Sequence, residues 1–218
     1  MDRYIDLIEQ TFYFPTEEFK VENNELFFNN VPLMDIVNTY GTPLKLTYLP
    51  KISSQIQKAK RIFKEAIAKN NYAGTYTYCY CTKSSHFSFV LEEALKNDIH
   101  IETSSAYDIP IVRNLFEKGK ITKDNYIVCN GYKRPEYTEN IVNLINDGFL
   151  NCIPILDNLD EFETYQSITK PCKLGIRLAS DEEPKSEFYT SRLGIRYNDL
   201  LDLYKNKIEP NPNFKLIK

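Results

Sequence analysis

The chain has 218 residues, 42% of them hydrophobic and 26% charged, with a formal net charge of -3. That length suits one large domain with a substantial core, and the slight acidity lacks the basic face that nucleic acid or an anionic membrane requires. No apolar run reaches the ~18 residues of a membrane span and the first residues lack the order of a signal peptide, so the chain is expected in the cytoplasm.

Residues 1–43 read as an amino-terminal arm. A helical pattern through Tyr4, Ile5, Ile8 and Phe12 breaks at Phe14-Pro15, and two short apolar runs on either side of Asn23-Asn24 predict a small hairpin. A short helix from Val31 through Leu33, Ile36, Val37 and Tyr40 should end at Gly41, with Pro43 barring its continuation. Residues 44–49 then read as the first strand of a regular series.

Further strands are predicted at 76–81, 99–102, 126–129, 152–156 and 173–178, alternating with helices at 52–69, 87–96, 106–118, 135–147, 159–168 and 197–204. Strands separated by helices of this length pair in parallel through crossovers, so the class is α/β with helices covering the sheet. Six βα units are visible, and Phe214-Lys215-Leu216-Ile217-Lys218 reads as the opening of a seventh strand. A doubly wound sheet is the competing architecture, but the first βα turn has no Gly-x-Gly-x-x-Gly, which counts against it and favours a barrel.

The five cysteines, Cys79, Cys81, Cys129, Cys152 and Cys172, all fall in predicted strands and show no paired spacing. They read as small core residues rather than a disulfide framework. With only His86 and His100 to join them, no metal site is expected.

The most informative stretch is Tyr76-Thr77-Tyr78-Cys79-Tyr80-Cys81-Thr82-Lys83-Ser84-Ser85-His86-Phe87, a β-rich alternation that stops at one lysine. A strand of this kind delivers Lys83 to the end of a sheet, where α/β proteins keep their chemistry, although most lysines are merely solvated surface charges. Around it stand Gly41-Thr42-Pro43-Leu44, Glu102-Thr103-Ser104-Ser105, Asn130-Gly131-Tyr132-Lys133, the strand ending at Arg177, and Ser191-Arg192-Leu193-Gly194-Ile195.

In this order the motifs resemble the fold-type III pyridoxal-phosphate (PLP) decarboxylases of basic amino acids, the ornithine, arginine and diaminopimelate decarboxylase family. The variants Tyr-Cys-Tyr-Cys-Thr-Lys, Cys-Asn-Gly and Arg-Leu-Ala-x-Asp-Glu-Glu-Pro are most similar to arginine decarboxylases of the Bacteroidetes type. The resemblance implies a (β/α)8 TIM-type barrel over residues 44–218, truncated after about six units, with a carboxyl-terminal β-domain absent. It also implies PLP as cofactor, an amino-acid substrate and a homodimer.

By the same resemblance, Lys83 is the catalytic lysine that holds PLP, since an amine sheltered from water at a strand end is a nucleophile for a carbonyl. Glu102 would balance positive charge beside it, the alternative being an ordinary strand-end acid paired with a lysine. Arg177 would hydrogen-bond the cofactor from the barrel mouth, and an arginine ending an apolar strand needs some partner in any case. Asp108 reads as a helix-capping charge, His86 as a helix-start residue near the mouth, and Asn130 to Lys133 as a turn. The run 181–189 reads as an acidic loop over the mouth.

The expected activity is decarboxylation of arginine to agmatine. Ornithine or diaminopimelate as substrate, and a non-catalytic PLP-binding barrel protein, are the competing readings. A chain ending after six units is expected to be an inactive fragment.

Overall fold

The computed structural model describes residues 18–179 and 194–217. The predicted helix through Tyr4 and Phe12, the acidic loop 181–189 and Ser191-Arg192-Leu193 lie outside the described residues. Two compact units divide the chain, Met1–Tyr48 and Leu49–Lys218.

In the first unit, β1 (Phe19–Glu22), β2 (Glu25–Phe28) and β3 (Val31–Pro32) form an antiparallel sheet in that order. The predicted hairpin turns at Asn23 and Asn24, whose φ angles of 52° and 62° match the twist of a two-residue loop. Phe19 lies opposite Phe28 with ring centroids 4.9 Å apart. Helix α1 (Leu33–Tyr40) follows and ends at Gly41, whose N–H donates to the Val37 carbonyl at 2.7 Å.

The predicted first strand at 44–49 is not formed. Residues 44–48 carry no regular structure and make no ladder, and Leu49 already opens the next helix. The alternation of Leu44, Leu46 and Tyr48 supplies β propensity, but a strand exists only through a paired neighbour. Instead the Tyr48 ring stands edge-on to Phe28 at 5.5 Å.

The second unit contains six parallel strands in chain order: β4 (Cys79–Cys81), β5 (His100–Thr103), β6 (Ile127–Cys129), β7 (Cys152–Leu156), β8 (Cys172–Ile176) and β9 (Phe214–Leu216). The expected seventh strand is thus present as β9, paired with β8. Between strands run α2 (Leu49–Lys69, before β4), α3 (Ser88–Leu95), α4 (Asp108–Glu117), α5 (Pro135–Asn146), the single turn α6 (Glu161–Thr164) and α7 (Tyr197–Leu203), extended by a wide turn to Ile208. Helix 159–168 shrinks to α6, and strand 76–81 to its last three residues. Parallel strands added one after another, each through a helix, are the topology of (β/α) barrels.

Period decides which face is buried. Tyr137, Ile141, Leu144 and Ile145 recur along one side of α5 and Ile109, Val112 and Leu115 along α4, and they meet Ile101, Ile127, Cys129, Cys152, Leu156, Cys172 and Leu174 from the strands. The cysteines at 129, 152 and 172 are buried free thiols. Helix α2 joins through Ile56, packed with Ala94 and Ile99, and through Lys60, which donates to the carbonyls of Asn97 and Asp98 at 2.8 and 2.9 Å beyond α3. The other face of the sheet carries the residues between: Cys81, Glu102 and Val128 lie side by side in register.

Among the described residues no helix is long and apolar enough to cross a membrane. Nor does any group of three or more His, Cys, Asp or Glu stand ready to hold a metal.

Candidate active site

Lys83 stands at the apex of a tight turn that closes β4. Thr82 is buried and both its N–H and its hydroxyl donate to the Glu102 carbonyl, at 3.0 and 3.1 Å. On the other side Ser84 donates N–H and Oγ–H to the Cys81 carbonyl, at 3.2 and 2.7 Å. Lys83 itself lies beyond the last residue of β4, in the turn. The sheltered setting expected for its amine is not supplied by the described residues: Lys83 is exposed.

An open cleft of about 600 Å³ adjoins it, lined by Lys83, His86, Ser104, Ser105, Tyr107 and Asp108. The Asp108 carboxylate accepts the N–H groups of Ser104 and Ser105 at 2.9 and 3.0 Å, so it shapes the β5–α4 turn instead of capping the helix N–H groups. His86 precedes α3 and borders the same cleft. A larger apolar groove of about 790 Å³ lies against α7 and β9 and contains none of these residues.

Glu102 is half-buried, one residue short of the end of β5. Its Oε1 accepts the Asn130 amide at 3.2 Å and faces the Cys81 thiol at 3.7 Å. Burial pushes the Cys81 thiol up, with Lys83 opposing and Glu102 adding to the shift, so this sulfur senses both site charges. Asn130 is itself fixed, its N–H donating to the Thr103 carbonyl at 2.9 Å and its Oδ1 accepting the Gly131 N–H at 2.9 Å.

The Asn130-Gly131-Tyr132-Lys133 segment does more than turn. The Lys133 side chain is fully buried and donates to the carbonyls of Gly131, at 2.6 Å, and Ile155, and its ammonium lies 3.3 Å from Glu161. Glu161 in turn accepts the Asp157 N–H at 3.1 Å and the Asn158 amide at 3.1 Å. One buried ion pair therefore ties the end of β6 to the end of β7.

Arg177 sits just past β8. Its N–H donates to the Leu156 carbonyl at 3.0 Å, and its carbonyl accepts the Ile195 N–H at 2.7 Å. Its guanidinium is 43% exposed and lies 3.7 Å from Asp157, whose side chain is fully buried. Gly194 completes the frame: its N–H donates to the Asp157 carbonyl at 2.8 Å, and with φ at +109° a Cβ there would stand 2.7 Å from the Ala179 nitrogen. The Gly-Ile of the quoted motif is thus a clasp across the ends of β7 and β8.

Lys83, Glu102, Asp157 and Arg177 all lie at or just past the carboxyl ends of strands of one parallel sheet. Lys83 and Glu102 meet through Cys81 on adjacent strands, whereas Arg177 lies three strands beyond Glu102 in the sheet order. Asp157, Lys133 and Glu161 were not singled out from the sequence as site residues. The available signal was a charged residue ending the apolar β7 run, followed by the Asn158-x-x-Glu161 helix-start spacing.

No family model matches the chain. Among curated proteins it is 26% identical over 172 residues to a biosynthetic arginine decarboxylase of Citrifermentans bemidjiense, a match covering 73% of this chain and 26% of that protein. A second of that description, from Geobacter metallireducens, is 30% identical over 111 residues, covering 49% and 17%. The chain thus spans about a quarter of the length of the curated relatives it matches.

Two solved structures share its fold. Diaminopimelate decarboxylase from M. jannaschii in complex with L-lysine superposes with a TM-score of 0.75 at 14% identity, over 92% of this chain and 46% of that one. The biosynthetic arginine decarboxylase of Campylobacter jejuni gives 0.65 at 20%, over 87% and 32%.

Proposed function

We propose that this chain belongs to the fold-type III pyridoxal-phosphate decarboxylases, corresponds to the amino-terminal portion of their barrel, and carries the cofactor-holding lysine of an arginine decarboxylase. One observation carries the reading. A lysine, a carboxylate and a guanidinium stand at the carboxyl end of one parallel sheet, the end where such folds bind ligands.

The residues fit an aldehyde-bearing anionic cofactor. Lys83 offers an exposed amine on a turn pinned from both sides, and Arg177 offers a half-exposed cation on a locked backbone. When bound, PLP supplies an electron sink for the bonding pair left on Cα as CO2 departs. Lys83 holds the cofactor through its amine. Glu102, oriented by Asn130, faces the positive charge that develops beside Lys83, and Arg177 donates hydrogen bonds from the mouth. Cysteines left as free thiols suit a cytoplasmic setting, and the homodimer expected of the family belongs to the same proposal.

Arginine as substrate is supported by the relatives' shared description, whereas the solved structures, at 14% and 20% identity, share the fold alone. The protein carrying this sequence should release CO2 from arginine in preference to ornithine or diaminopimelate; the opposite order would change the substrate and leave the mechanism. The decisive test is to mix the chain with PLP, reduce with borohydride and map the adduct by mass spectrometry. A phosphopyridoxyl group on Lys83, absent from Lys83→Ala, is expected. Modification spread over other lysines in proportion to exposure would overturn the assignment.

A further inference from the structure

We propose that Asp157 is a positioning residue for Arg177, a carboxylate kept bare so that it steers the guanidinium toward the site. The inference rests on the reading of Arg177 as a cofactor contact. Asp157 directly follows β7 with its side chain fully buried, and among the described residues neither carboxylate oxygen receives a hydrogen bond. Buried carboxylates are ordinarily surrounded by donors, because the charge loses its hydration and nothing replaces it. Among the described residues the compensation is one cation, Arg177, at 3.7 Å.

The surroundings explain why this pair is not a chance surface contact. Two charged groups near Asp157 are satisfied with each other: Lys133 pairs with Glu161, and Glu161 spends one oxygen on the Asp157 N–H. The Asp157 carbonyl takes the Gly194 N–H, and the Arg177 main chain is bonded on both sides, to Leu156 and Ile195. Every backbone atom that could relax the pair is therefore committed. What remains free is the half-exposed guanidinium, and it moves in the field of one immobile, poorly screened carboxylate. At 3.7 Å the contact is ionic rather than hydrogen-bonded, so the five donors of Arg177 stay available to a ligand.

The first measurement needs no cofactor. In chain labelled with 15N-arginine, the Arg177 guanidinium resonances, identified by their loss in Arg177→Lys, should be displaced from those of exposed arginines by the nearby carboxylate. Asp157→Asn should return them to the exposed position and Asp157→Glu restore part of the displacement. The second is a PLP titration by absorbance. Asp157→Asn should weaken binding by about fivefold, the size of a half-exposed ion pair, and should add nothing in an Arg177→Gln background.

An unchanged Arg177 resonance in a folded Asp157→Asn chain, or additive losses in the double variant, would overturn the proposal. If Asp157→Asn does not fold, Arg177→Gln gives the same comparison through the Asp157 carboxyl 13C shift, which must move if the two are paired. Failure of borohydride trapping at Lys83 would remove the functional reading, while the cofactor-free resonance still decides whether Asp157 holds Arg177.

Discussion

Removing the Lys133 ammonium while keeping Glu161 leaves a buried carboxylate without its cation, so Lys133→Met should destabilise the chain by about 3–5 kcal/mol. Adding Glu161→Gln should recover part of that loss in urea unfolding; equal midpoints for wild type and Lys133→Met would show that the pair does not hold these strand ends. Cys79 gives a chemical test of the sheet's other face. Burial, with Glu102 adding to it, pushes its thiol up to about 11, so near neutral pH its thiolate fraction falls about a hundredfold and alkylation should be correspondingly slow. Alkylation at the rate of a free thiol would place Cys79 in water. The strand-end positions of Lys83, Glu102 and Arg177 were legible in the sequence because each stands at the end of a β-rich run, whereas their roles came from the resemblance and remain proposals. Asp157 and Lys133 were not legible, because their roles depend on partners 20 and 28 residues further along the chain, and spacing does not say which loops touch.

The Gly194–Ile195 clasp works only with a glycine. Its φ of +109° and the 2.7 Å approach to the Ala179 nitrogen leave no room for a side chain, so Gly194→Ala should cost about 1–3 kcal/mol and lower the melting temperature. An unshifted melt would mean that the clasp contributes nothing. Strand β5 carries a pH signature of its own. His100 Nδ1 accepts the Tyr126 N–H at 3.1 Å, and burial first of all lowers its affinity for a proton, Lys60 adding to this and Asp98 opposing it. Below the ordinary value of 6.5 the unfolded chain binds more protons than the folded one. This contribution to stability is therefore complete above 6.5 and is lost as pH falls through the folded value. The melting temperature should drop on acidification across that window, less steeply in His100→Gln; parallel curves would exclude the histidine as the cause. Helices were legible from their period because α4 and α5 have one buried side. The strand at 44–49 misled because alternation records propensity, whereas pairing is a property of two segments.

Taken whole, the sheet has two strands with a single neighbour among the described residues, β4 and β9, and beside β9 lies an apolar groove where Tyr197 and Leu201 are exposed. Unpaired parallel edges and exposed apolar surface favour association. Sedimentation velocity on the 218-residue chain should show concentration-dependent self-association that Leu201→Lys reduces; a monomer at every concentration would show the edges to be protected. Fold class was legible at this scale because each βα unit repeats one signal, and a sixfold repetition survives one misassigned strand. The order β4-β5-β6-β7-β8-β9 runs with the chain, so every strand docks on the one made just before it. Such a sheet can assemble in the order of its synthesis, each new strand finding a finished template within the last few dozen residues. The contacts that are slowest to form in other β architectures, those joining distant parts of the chain, are then not needed while the described strands emerge.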